Sequence, residues 1–260
     1  MTITTGQITA FIGTYYWPFM RIGAMLMVAP VFGSQQIVPV RVRLALAIAL
    51  TWAVAPTLAA APAVQPMSAM GLLVTAQQLL LGIAMGFILQ LAFSALVVAG
   101  QSIAMTMGLG FATFIDPTNG VSVPVMSKFY TIVGTLLFLS INGHLVAIQV
   151  LAASFQTIPV APVGLSAAGM IQLVAWGGQM FVGAALIALP ALVTITLINV
   201  SFGVVTRAAP QFNIFAVGLP TTIASGFLIM WFTLPNLLPR FTHVLMGAFG
   251  IMQHLAPAGG

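Results

Sequence analysis

The sequence predicts an all-α membrane protein with about six hydrophobic helical segments, several of them kinked or broken. Three observations carry this expectation. The 260 residues are 61% hydrophobic and only 3% charged, against roughly 25% charged in soluble domains. Mean hydropathy is +1.17. Apolar stretches of the ~20 residues needed to cross a bilayer recur along the chain, and no linker divides them into water-soluble domains. Such an apolar excess requires lipid or a large protein partner.

By the length criterion the segments are 9–32, 44–61, 70–99, 129–153, 171–200 and 214–250. Pro18 interrupts the first, Pro190 the fifth and Pro220 the last. Proline removes a backbone donor and clashes with the preceding turn. Within lipid the freed carbonyl needs a partner, so such helices are either buried in protein, lining a wet cavity, or simply kinked. The last segment reads as one span with an appended helix or as a hairpin broken at Pro235 and Pro239. Gly82 with Gly86, and Gly100 with Ala104, are small-xxx-small pairs that permit close helix packing. Tyr15, Tyr16 and Trp17 suit an interfacial belt. Arg21 follows one turn later, either as a buried functional cation or as a side chain snorkelling to the interface.

The basic residues suggest an orientation. Arg41 and Arg43, Lys128, and Arg207 fall in three connections on one side of a six-span arrangement. The positive-inside rule assigns that side to the cytoplasm and both termini to the periplasm. Arg240 does not fit this scheme unless the last segment is a hairpin. No basic region precedes the first apolar run, so no cleavable signal is expected there. Arg41 and Arg43 followed by an apolar run ending in Ala59-Ala60-Ala61 imitate a signal, but too late in the chain.

The same composition argues against an enzyme. There is one carboxylate, Asp116, and general acid/base chemistry usually pairs titratable groups. His144, His243 and His254 are scattered, and cysteine is absent, so neither a common metal site nor a thiolate nucleophile is expected. No catalytic, cofactor-binding or metal residue is assigned. The net charge of +5 is sparse rather than clustered, which excludes a nucleic-acid footprint.

The most informative stretch is Met107-Gly108-Leu109-Gly110-Phe111-Ala112-Thr113-Phe114-Ile115-Asp116-Pro117. Two glycines and an Asp-Pro break it as a helix without making it hydrophilic. An apolar loop at membrane depth is buried in protein or lines a cavity; the plainer reading is a short connection with Asp116 as a helix cap. A second cluster, Arg207-Ala208-Ala209-Pro210-Gln211-Phe212-Asn213-Ile214-Phe215, joins two segments on the cytoplasmic side. A third ends an apolar run in Asn142-Gly143-His144, where a structural histidine is expected more than a catalytic one.

Together these clusters resemble the FliR family of protein-export subunits, with its SctT-type counterparts in virulence secretion. The matching fragments run in order: Tyr16-Trp17-Pro18 with Arg21, Ala29-Pro30, Val38 to Arg43, Gly82 to Phe87, Ala99-Gly100-Gln101, Gly108 to Asp116-Pro117, Phe138 to His144, Phe155 with Pro159, Leu189-Pro190, and Arg207 to Gln211 followed by Gly218-Leu219-Pro220. Beyond Met246 no signature is recognised. The resemblance implies a FliP-like part over 1–165 and a FliQ-like helical hairpin and tail over 166–260. It implies assembly with FliP-like and FliQ-like subunits into a ring in the bacterial inner membrane, at the flagellar basal body. FlhB-like and FlhA-like proteins would work with that ring, and unfolded flagellar proteins would pass through it. It also implies a pore plug at 108–121, including Gly108, Gly110, Phe111, Phe114, Ile115, Asp116 and Pro117. The cytoplasmic mouth would carry Arg207, Pro210 and Gln211. A small-solute secondary transporter is the alternative reading; it suits the broken helices but lacks the ionisable groups of a midplane site.

Overall fold

The computed structural model describes residues 5–33, 38–58, 64–110, 113–115, 122–162, 164–209 and 217–255. The fold is that of an all-α membrane protein. In chain order the elements are α1 (Thr5–Val28), α2 (Pro30–Gly33), α3 (Val40–Val54) with a 3-10 turn (Ala55–Thr57), and α4 (Ala69–Thr106). Strands β1 (Thr113–Ile115) and β2 (Ser122–Pro124) pair antiparallel, with Phe114 opposite Val123. Helices α5 (Val125–Ser140), α6 (Gly143–Thr157) and α7 (Ala167–Ala208) follow. The described chain closes with α8 (Leu219–Thr233), a 3-10 turn (Leu234–Asn236) and α9 (Leu237–Gln253).

Local chemistry sets the helix ends. Ser68 and Ser166 are N-caps of α4 and α7, each hydroxyl accepting from the N–H three residues on, at Gly71 (3.1 Å) and Gly169 (3.0 Å). Helix α4 stops in a Schellman motif: Gly108 N–H donates to Met105 O (3.1 Å) and Leu109 N–H to Ala104 O (2.9 Å). Gly108 has φ 79°, the left-handed conformation that this cap requires and glycine adopts freely. Asn142 also lies in the left-handed region, at φ 58° and ψ 25°, between α5 and α6.

These ends correct three expectations. The segment 129–153 is not one straight span but a bent pair, α5 and α6, because Asn142 takes a conformation no helix interior accepts. Pro220 falls not within a continuous α-helix but at the second position of α8, where a π-helical turn at Val217 and Gly218 gives way to α-helix. Leu219–Gln253 continues through the 3-10 turn at Pro235 as one apolar run rather than folding into a hairpin. Among the described residues four helical runs are long and apolar enough to cross a membrane, or five with the bent pair as one span. Helix α1 is not among them, since Gln7, Thr14, Tyr15, Tyr16 and Arg21 dilute its apolar content.

The chain forms two compact units. The first is Met1–Leu91, Asn142–Gly177 and Met246–Gly260; the second is Ala92–Ile141 and Gly178–Leu245. In the first, α1 lies against α4 at close range. A side chain on Gly86 would come within 2.8 Å of Val28 Cβ and 2.9 Å of Met25 O, so the Gly82/Gly86 pair is what lets the backbones approach. Trp17, Met25, Leu26, Leu81, Met85 and Ile88 fill this contact and are fully buried. Trp17 is therefore a core residue and not part of an interfacial belt; its indole N–H donates to Thr75 Oγ1 at 3.2 Å. Arg43 is also buried, donating to the carbonyls of Gly33 (3.0 Å) and Val38 (3.1 Å), which ties α3 to the preceding connection.

In the second unit Phe93 stands at the centre of an aromatic cluster. Its ring meets Phe138 at 5.5 Å and Phe241 at 5.3 Å, both edge-to-face, the arrangement favoured by the ring quadrupoles. Gly100 admits the start of α5, where Ser127 donates its hydroxyl to Val97 O at 2.9 Å. Deeper along the chain Asn199 links Thr106 O (3.1 Å) to the Thr222 hydroxyl (2.8 Å).

Candidate functional site

The most developed polar site is built around Arg21 in the first unit. The arginine lies one turn after Pro18 on α1 and is 0% exposed. Its Nε donates to Gln78 Oε1 on α4 at 2.8 Å. Nη1 donates to Ser154 O (3.1 Å) and Ser154 Oγ (3.2 Å), and Nη2 to Ile158 O (2.8 Å). The guanidinium carbon stacks 4.1 Å from the centroid of the Phe155 ring.

No carboxylate takes part. The acceptors are the Gln78 amide oxygen, the Ser154 hydroxyl, and the carbonyls of Ser154 and Ile158 at the C-terminal end of α6, where a helix carries partial negative charge; the Ser154 carbonyl also accepts the Ile158 N–H at 2.8 Å, while that of Ile158 has its donor from Arg21. Arg21 thus works as a C-cap delivered from another helix. Its planar fork reaches four acceptors on three residues, which a lysine ammonium could not reproduce. Ser154 Oγ also donates to Leu151 O at 2.6 Å, so the hydroxyl is held in the orientation that accepts from Arg21. Gln78 keeps its Nε2 buried and without a partner among the described residues, as does Gln77 its Oε1. Such a site holds a charge and locks three helices. It contains no acid–base pair.

The other sequence-predicted residues lie elsewhere. Gly108 is the left-handed cap of α4, and Gly110 follows in a turn beside the Met105 side chain. Phe114 and Ile115 belong to β1. Phe111, Asp116 and Pro117 lie outside the described residues. The described part of 108–121 is therefore turn and ribbon, with no helix. Arg207 is exposed in the last turn of α7, a favourable place for a cation; Pro210 and Gln211 lie outside the described residues. Sequence reasoning missed Gln78, Ser154 and Ile158. The one available signal was Gln78 itself, an amide inside an apolar run.

Residues 12–248 match the family described as bacterial export proteins, family 1. The chain belongs to that family. Within this export family, the flagellar biosynthetic protein FliR of Escherichia coli (strain K12) is 35% identical over 255 residues, covering 98% of this chain and 97% of that one. The FliR proteins of Aquifex aeolicus (strain VF5) and Bacillus subtilis (strain 168) are 32% identical over 244 residues and 29% over 215. The match covers 94% of this chain in the first case and 82% in the second. Among the described residues no cluster of three or more metal-ligating side chains occurs.

Proposed function

We propose that this chain is a core subunit of the flagellar type III protein export gate, in the inner membrane at the basal body. The near full-length similarity to the Escherichia coli FliR protein carries this reading. In it, FliP-like and FliQ-like subunits complete the pore, and FlhB-like and FlhA-like proteins act at its cytoplasmic side. Unfolded flagellar proteins are the cargo. The chain performs no bond chemistry; the proton gradient and the partners supply the energy.

Two physical features support a role inside a larger assembly. Long helices present bare apolar faces: only 33% of the most apolar window of α7 and 22% of that of α8–α9 is buried within the chain. Exposed Ile171, Val174, Leu197, Val204, Trp231 and Phe232 need lipid or protein neighbours. The proposed division into a FliP-like part (1–165) and a FliQ-like hairpin (166–260) is one of chain order, with α7 and α8–α9 as the two long arms. Each compact unit draws residues from both sides of it.

The plug is proposed at 108–121. Helix α4 is stopped by Gly108, and the following apolar chain makes a ribbon instead of a helix. Irregular apolar backbone is stable at membrane depth only when enclosed by protein. Phe111, Phe114 and Ile115 would seal the closed pore, and cargo would displace them. Deleting part of this loop is expected to let ions or small solutes leak across the inner membrane of cells carrying the complete complex. A loop-deleted complex that assembles normally and stays as tight as the parent removes the plug assignment.

A further inference from the structure

Arg240, the cation that no topology scheme absorbs, lines a narrow polar pocket in the second unit together with Tyr130, Thr233 and Asn236. Pro190 forms part of its wall. The pocket lies where two long helices are both disturbed, α7 by Pro190 and the α8–α9 run by its 3-10 turn. Neither the Arg240 guanidinium nor the Asn236 amide hydrogen-bonds within the described residues, and the Tyr130 hydroxyl, on a residue only 3% exposed, has no partner there either.

Beside it, and sharing Leu234, runs an apolar groove of ≈ 160 Å³ lined by Met126, Phe129, Phe227, Met230 and Trp231. Trp231 is 75% exposed at its edge. Leu219–Leu238 carries no charged residue. At 1.5 Å per residue that stretch covers about 30 Å, the thickness of a hydrocarbon core. Arg240 is the first charged residue after it, two positions on. Trp231 lies about 14 Å back along the helix.

An unpaired cation at the edge of an apolar groove is completed best by an anion from outside the chain. This chain could offer a second copy of itself only Asp116. A cationic rim joined to an apolar groove instead matches an amphiphile with an anionic head. We propose that this face of α5, α8 and α9 binds one anionic phospholipid, with its phosphate at Arg240 and Asn236 and an acyl chain in the Phe227–Trp231 groove. The polar pocket itself, ≈ 10 Å³, has room for about one oxygen-sized group. The phosphate therefore stays at the mouth, and one headgroup oxygen reaches the Tyr130 hydroxyl.

The test uses the full chain in its co-expressed complex, reconstituted in phosphatidylcholine nanodiscs doped with a phosphatidylglycerol probe that carries a photoreactive acyl chain. Labelling is expected on the α8 peptide containing Phe227 and Trp231. Arg240→Gln should cut it roughly ten-fold, the effect of losing a hydrogen bond to a charged group, while Arg240→Lys retains most of it. Excess inorganic phosphate should not compete. Equal labelling by the matching phosphatidylcholine probe, unchanged labelling of Arg240→Gln, or displacement by inorganic phosphate would each overturn the proposal. So would a photoreactive residue at Leu228 that captures a neighbouring protein in place of lipid.

Discussion

Arg21 and Arg240 are the same residue in two apolar surroundings, and the chain treats them in opposite ways. Arg21 is enclosed, and all three of its nitrogens donate to acceptors from α4 and the end of α6. Arg240 sits half-buried at the rim of a cavity with no partner among the described residues. A charge sealed in during folding must be satisfied by the chain itself, because leaving it unpaired costs several kcal/mol. A charge left at an apolar surface can wait for something outside the chain. The contrast separates what the chain needs in order to fold from what it needs in order to assemble.

The largest expected effect breaks the enclosed side of that contrast. Arg21→Leu leaves the Gln78 amide oxygen and the Ile158 carbonyl buried without a donor and removes one of the donors to Ser154. It should destabilise the chain by about 3–5 kcal/mol, read as loss of protease-resistant protein in mild detergent and loss of motility. Arg21→Lys keeps the charge but not the fork and should recover only part. If both variants are silent, Arg21 is not held as described.

Gly86→Leu comes next. It forces apart the α1–α4 contact that places Gln78 beside Arg21, at an expected cost of about 1–3 kcal/mol, measurable as a lower melting temperature of the purified complex. A melting temperature equal to the parent's would show that the helices can separate without disturbing the site. A smaller effect belongs to Asn142. Asn142→Val should cost about 1–2 kcal/mol because a branched residue resists the left-handed region, whereas Asn142→Gly should be nearly neutral. A Gly variant as impaired as the Val variant would point to the side chain rather than to φ.

The smallest effect sharpens the comparison from the other side. Arg240→Gln removes no internal hydrogen bond, so thermal stability of the complex in detergent should stay within about 0.5 kcal/mol. A loss as large as that of Arg21→Leu would mean that Arg240 is satisfied from within the chain.

The fold was largely legible because apolar runs this long admit few structures. The segments 70–99 and 171–200 lie inside α4 and α7, although both helices run further, to Thr106 and Ala208. Their ends are polar enough to lower local hydropathy while remaining good helix, until Gly108 provides the stop. The break within 129–153 was written as Asn142-Gly143, but hydropathy averaged over it. Pro220 is plain in the sequence, but composition does not fix where α8 begins relative to it. The Arg21 site was only half legible. A lone arginine in an apolar run signals burial or snorkelling equally, and its acceptors lie 57, 133 and 137 residues away. No periodicity reports contacts at such separations.

The fold is closed around Arg21, but the long helices α7 and α8–α9 remain largely bare within the chain. Such a chain should not persist alone. The direct measurement is affinity purification of the tagged chain expressed with and without its FliP-like and FliQ-like partners. The expected result is a stoichiometric complex in the first case and degraded or aggregated protein in the second. A monodisperse, partner-free protein that purifies as a small homo-oligomer, and captures neither partner when co-expressed, would contradict the export-gate reading and favour a solute transporter.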